Sequence, residues 1–146
     1  VDVPLMISNR CGWDRSAWKA HPQETVKDGK DVLERLINAI ATVSPGAKLG
    51  STAPYARAAL VLLECGEYQP RTLANAYLEA LLPKGDIMQT AVDRLGVHLS
   101  ELDGMYGRNE ERFIASTKAT SAFQEALRGT LAQSVEGSLG ALWREE

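Results

Sequence analysis

Residues 44–77 read SPGAKLGSTAPYARAALVLLECGEYQPRTLANAY, and the order of signals in them decides the fold. Ser44-Pro45-Gly46 is a helix stop, because proline and glycine disfavour continued helical backbone for opposite reasons. Ala58 to Cys65, AALVLLEC, is a continuous apolar run too short for a helix and closed by Gly66, which suits a buried strand. Between them lies the chain's one dense cluster of turn-formers, hydroxyls and isolated cations. Upstream, Val32, Leu33, Leu36, Ile37, Ile40 and Val43 fall on one helical stripe, and Asp31 can cap its start, which predicts a helix over 31–43. Earlier still, Val1 to Ser8 is a short apolar, β-branched run closed by Asn9, Arg10 and Cys11-Gly12, a strand with Pro4 near an edge or bulge. Residues 12–30, with Trp13, Trp18 and Pro22 but no periodicity, read as a loop with a short helical turn. Strand, long connection, helix, loop and strand over 1–66 define an α+β arrangement.

Downstream the pattern turns mainly helical, over 67–146. Gln69-Pro70 opens a helix with Leu73, Ala76, Tyr77, Ala80 and Leu81 on one side, ended by Pro83-Lys84-Gly85. A further helix begins at Asp86, carries Met88, Ala91, Leu95, Leu99, Leu102 and Tyr106, and ends near Gly104 and Gly107. Arg112 to Ser116 has the composition of a short strand. Ser121 to Trp143 reads as a last amphipathic helix, weakened by Gly129, Gly137 and Gly140.

The chain has 146 residues, 45% hydrophobic and 24% charged, the balance of an ordinary globular protein. Its net charge of −3 argues against indiscriminate coating of nucleic acid but leaves room for a local basic track. Lys and Arg gather in the first half, so a nucleic-acid surface is expected there. No run is long and apolar enough to span a bilayer, and VDVPLMISNR has no signal-peptide pattern, so a cytoplasmic protein without membrane contact is expected. The chain begins with Val, as a fragment or a trimmed chain would. Cys11 and Cys65 lie far apart and lack ligand-spaced partners, which reads as two reduced thiols.

Hydrolytic chemistry needs a nucleophile with a base, a converging carboxylate pair or a metal cluster. His21 and His98 belong to no metal-ligand motif, Glu110-Glu111 reads as a solvated pair, and Cys65 as a small core residue. No catalytic residue, no metal and no cofactor are expected. The loop GAKLGST, residues 46–52, fails the P-loop test, because its Lys precedes the second Gly and it leads from a helix into a strand. What it does offer is backbone amides beside two glycines, Lys48, and the Ser51 and Thr52 hydroxyls, all able to hold phosphate oxygens. Tyr55 adds a ring that can stack on a base and Arg57 a second cation. As a plain connecting loop the same residues need have no such role.

The same stretch resembles the family-seven Cas proteins, the CasC-type backbone subunits of the type I-E CRISPR surveillance complex Cascade. The likeness rests on Pro45 to Lys48, on Ser51-Thr52, on the Leu60 to Leu63 strand and on Leu73 to Tyr77, LANAY. VDVPLMISN and Leu102 to Gly107, LDGMYG, also resemble family segments. The resemblance implies the C-terminal half of an RRM-like, ferredoxin-like palm followed by a helical C-terminal region. It further implies a non-catalytic subunit that grips guide (CRISPR) RNA by its backbone, with Lys48, Ser51, Thr52, Tyr55 and Arg57 as contacts. The implied partners are other copies of itself, other Cascade subunits and, indirectly, target DNA. The alternative is a structural module that contacts partner subunits without binding RNA.

Overall fold

The computed structural model describes residues 23–43, 57–66, 70–82 and 84–143. Their elements, in order, are α1 (Gln23–Thr42), β1 (Leu60–Cys65), a 3₁₀ turn (Ala74–Tyr77), α2 (Ile87–Tyr106), β2 (Glu111–Ser116), β3 (Leu127–Arg128) and α3 (Leu131–Leu142). The fold is α+β: three helices around a small three-stranded sheet, in keeping with a partial ferredoxin-like palm and a helical C-terminal region. The expected strand Val1 to Ser8 lies outside the described residues.

The sheet order is β1-β2-β3. β1 and β2 run antiparallel, with Leu60 opposite Ser116, Leu62 opposite Ile114 and Glu64 opposite Arg112. β3 adds two residues parallel to β2, Leu127 beside Phe113 and Arg128 beside Ile114. Because successive side chains alternate faces, this register puts Leu60, Leu62 and Ile114 on one side and Val61, Leu63 and Phe113 on the other. The first side is covered by Val92, Leu95 and Leu99 of α2, together with Ala76, Phe123 and Ala126. Ile114, at 1% exposure, sits at the centre of this core. Its full burial is worth roughly 1.5–3 kcal/mol. The second side is covered by α3, which packs on β1, β2 and α1. Gly137 allows that approach: a Cβ there would lie 2.6 Å from Phe113 Cε1.

α2 starts where the sequence places it. Asp86 caps it, its carboxylate accepting from Gln89 N at 3.0 Å. Three other elements differ from expectation. α1 begins at Gln23, not Asp31; QETVKDGK holds a single apolar residue, Val26, so a search for an apolar stripe cannot see its first turns. The helix expected over 70–82 is one 3₁₀ turn. There the Thr72 hydroxyl accepts from Ala74 N, Ala76 N donates to Leu73 O, and Arg94 donates to the Glu79 carbonyl, so the backbone groups are used in short or tertiary bonds. The final helix spans 131–142 only. Arg128 donates to the Thr120 and Phe123 carbonyls, which an α-helix would need for its own ladder, and the 120–126 segment instead drops Phe123 and Ala126 into the core. Thr130 then starts α3 through a capping box, its hydroxyl accepting from Gln133 N while Gln133 Oε1 accepts from Thr130 N.

The apolar stripe of α1 is only partly internal. Leu33 and Ile37 are half-buried and Ala41 is buried, whereas Val32 is 64% exposed and Leu36, Ile40 and Val43 are exposed too. Lys30 closes the buried side, its ammonium 5.7 Å from the Trp143 ring centre.

Candidate nucleic-acid interface

Of the five residues expected to touch RNA, Lys48, Ser51, Thr52 and Tyr55 lie outside the described residues. Arg57 is described: it is exposed and stands at the rim of a cleft of about 250 Å³. The cleft forms where the last turn of α1, the start of β1, the end of β2 and the start of α3 meet. Ala41, Ala58, Ala59, Val61, Ala115 and Leu131 are its apolar lining residues, and Thr42, Ser116, Thr117 and Thr130 its polar ones beside Arg57.

Backbone bonds hold this junction together. Ala58 N donates to Ala41 O at 2.9 Å, which pins the residue after Arg57 to the last turn of α1. Thr117 N donates to Ala59 O at 2.9 Å, extending the β1–β2 ladder one step toward the cleft. Both ends of the segment carrying Lys48, Ser51, Thr52 and Tyr55 are therefore fixed at the cleft's edge.

The hydroxyls divide by what their protons do. Thr42 Oγ1 donates to Asn38 O at 2.6 Å and Thr117 Oγ1 donates to Ala59 O at 3.2 Å, so neither proton is left for a ligand. Thr130 Oγ1 accepts from Gln133 N. Ser116 Oγ accepts from Lys118 N, and strand alternation puts that side chain on the Ile114 side of the sheet, away from the cleft. Among the described residues no carboxylate lines the cleft. Nearby Lys118 is occupied by Asp86 at 2.5 Å, a hydrogen bond that holds the Asp86 carboxyl below its usual range. Arg57 is the one formally charged side chain among the described residues that line the cleft.

A second charged group, missed in sequence, is structural. Arg112, 5% exposed, donates through Nη1 and Nη2 to both Asp103 oxygens at 2.5 and 2.6 Å and through Nε to Glu64 at 2.8 Å. Arg71 joins the same group, 3.0 Å from Glu64, 3.3 Å from Asp103 and 3.5 Å from Glu110. Arg71 Nε, buried, has no hydrogen-bond partner among the described residues. Burial opposes the charge on Arg112, but its hydrogen bonds to Asp103 and Glu64 outweigh it and raise its pKa. The same bond from Arg112 holds the Asp103 carboxyl below its usual range. Glu110, read from sequence as half of a solvated pair, is a partner in this network, as is Arg71. Asn75, in the 3₁₀ turn, is exposed, and its carbonyl accepts from Leu78 N.

Cys65 donates its thiol to Ser138 O at 3.5 Å, and burial, with Glu111 and Glu64 adding to it, pushes the thiol up to about 11. It is a protonated packing group at neutral pH. His98 stands 3.9 Å from Glu101 on the next turn of α2. Among the described residues no group of His, Cys, Asp and Glu could hold a metal ion.

What the described residues assemble is an α+β framework with a cation-rimmed cleft at one end of its sheet and an ion-pair network at the other. The model of the CT1975-like protein family, Cas_CT1975, matches residues 1–144, and the chain belongs to this family of CRISPR-associated proteins. No curated protein matches it.

Proposed function

We propose that the chain is a non-catalytic, guide-RNA-binding backbone subunit of a Cascade-type CRISPR surveillance complex, of the type I-E kind. The family match over nearly the whole chain carries this reading. The resemblance of residues 44–77 to CasC-type subunits supplies the finer part. In such a subunit base pairing reads sequence, while protein contacts to phosphate and sugar hold register. Lys48, Ser51, Thr52, Tyr55 and Arg57 are the proposed contacts, and the anchoring of both segment ends beside the cleft is the geometry that supports them. The subunit works in the cytoplasm beside copies of itself and other Cascade subunits; among the described residues no helix is long and apolar enough to cross a membrane.

The exposed stripe Val32, Leu36, Ile40 and Val43 favours the second reading, a module that meets partner subunits without touching RNA. Filter binding of guide RNA at two salt concentrations separates the two. Phosphate contacts make affinity fall with salt, and Lys48→Ala should lower the slope of log K against log salt by about 0.7, the single-strand value for one contact. Binding without salt dependence, or no binding, rejects the RNA-gripping role.

A further inference from the structure

We infer that residues 70–82 form a strap that opens and closes on the framework as a unit, latched by Arg71, and that its opening bares the core residues that Leu73 and Ala76 cover while β1, β2 and α3 stay folded. The strap is independent of the RNA-binding reading above.

The latch shows in how two arginines share one set of carboxylates. Arg112 donates from all three of its nitrogens, at 2.8 Å to Glu64 and at 2.5 and 2.6 Å to Asp103. Arg71 reaches the same group from one nitrogen: its Nη2 stands 3.0 Å from Glu64, 3.3 Å from Asp103 and 3.5 Å from Glu110. The Glu64 Oε1 and Asp103 Oδ1 that it meets already accept from Arg112. Arg71 can therefore leave without stranding either carboxylate, since the bonds from the Arg112 fork persist. Its Nε is buried and has no hydrogen-bond partner among the described residues. Release lets that donor reach water, which offsets part of the attraction lost.

The backbone bonds of the strap close within it. Ala76 N donates to Leu73 O, Leu78 N to Asn75 O, and Ala74 N to the Thr72 hydroxyl. A single turn of this length does not persist in water by itself, so these bonds hold only while the strap is docked. Two further side-chain bonds join it to α2: Tyr77 Oη donates to Ala91 O at 2.9 Å and Arg94 Nη1 to Glu79 O at 2.6 Å.

Burial in the strap is slight. Ala76 is buried and Leu73 packs against the same core, whereas Leu78 is 82% and Leu82 71% exposed. Val92, Leu95, Leu99 and Ile114 pack on one another beneath it, so the framework keeps most of its core when the strap lifts. Segments with few buried apolar contacts and local hydrogen bonds open below the cost of global unfolding.

Hydrogen exchange of backbone amides, followed by NMR on the full chain in rising sub-denaturing urea, tests this. The Ala76 and Leu78 amides should exchange through one common opening with little urea dependence, and the Thr117 amide, bonded to Ala59 O in the sheet, only by global unfolding. Arg71→Gln should speed Ala76 and Leu78 by the same factor, about three- to ten-fold, the worth of one hydrogen bond. Gly140→Ala, in α3 and outside the strap, should slow Thr117 about two- to five-fold through helix propensity and leave Ala76 and Leu78 as they were, because α3 stays folded in the open state. If Gly140→Ala slows all three amides alike, the strap opens only with the whole fold and the inference is overturned. Unequal responses of Ala76 and Leu78 to Arg71→Gln overturn opening as a unit. No response of either removes Arg71 as the latch.

Discussion

Arg112 shows how much one side chain can be asked to hold. It reaches three oxygens on two elements from a strand position opposite Glu64, and its planar fork meets Asp103 with two parallel bonds. Arg112→Met keeps the volume but leaves Asp103 and Glu64 with only their contacts to Arg71. The expected loss is about 1–3 kcal/mol in urea unfolding, because the partly exposed carboxylates keep one cationic partner. Arg112→Lys should recover only part of it, because an ammonium cannot make the bidentate contact. None of this was legible in sequence. The network joins positions 64, 71, 103, 110 and 112, and nothing in local spacing brings Glu64 beside Arg112; only strand register does. Cys65 was legible, since a small residue closing an apolar run is commonly a packing group, and its thiol is half-buried and protonated, in keeping with that role.

At the scale of elements, sequence spoke clearly where an element's own pattern was sufficient. β1, β2 and α2 stand within two residues of where alternation, apolar runs and the Asp86 cap put them. It failed where tertiary bonds decide. Helical periodicity through 121–130 is real, yet Arg128 takes the carbonyls such a helix would use. Thr130-x-x-Gln133 is a capping box that can be read directly, and it would have placed the start of α3 correctly. The glycines of α3 looked equivalent in sequence and are not. Around Gly140 nothing lies within 4 Å of an added Cβ, whereas at Gly137 Phe113 is in the way. Gly140→Ala should therefore stabilise the protein by roughly 0.5–1 kcal/mol through helix propensity. Gly137→Ala gains the same propensity and loses about 1–3 kcal/mol to overpacking, so it should be net destabilising. Thermal melts of the two variants check both signs.

Across the whole molecule, the network ties β1, the turn after it, α2 and β2 to one another, which makes stability depend on acid. The Asp103 carboxyl has its folded pKa depressed, first by the Arg112 hydrogen bond, so its contribution is complete above the unfolded carboxylate value near ~3.9. It is lost as pH falls through the lower, folded value. Urea midpoints measured from pH 6 down to pH 2 should drop steeply below about pH 4, and Asp103→Asn should flatten that drop while lowering stability at pH 6. An unchanged acid limb would show that Asp103 does not couple the elements. Of the candidate interface, sequence reading pointed to Arg57, which stands at the rim of the cleft, while Thr117 and Thr130 come to the same cleft from distant sequence through sheet register and helix packing, which local spacing does not reveal. The bond from Ala58 N to Ala41 O has a consequence for the segment between those residues. With its two ends clasped, the entropy of closing that segment grows only slowly, about 0.6 kcal/mol for each doubling of length. The framework's stability therefore depends little on how many residues join Ala41 to Ala58, and a variant lengthened there should melt within a few degrees of the original.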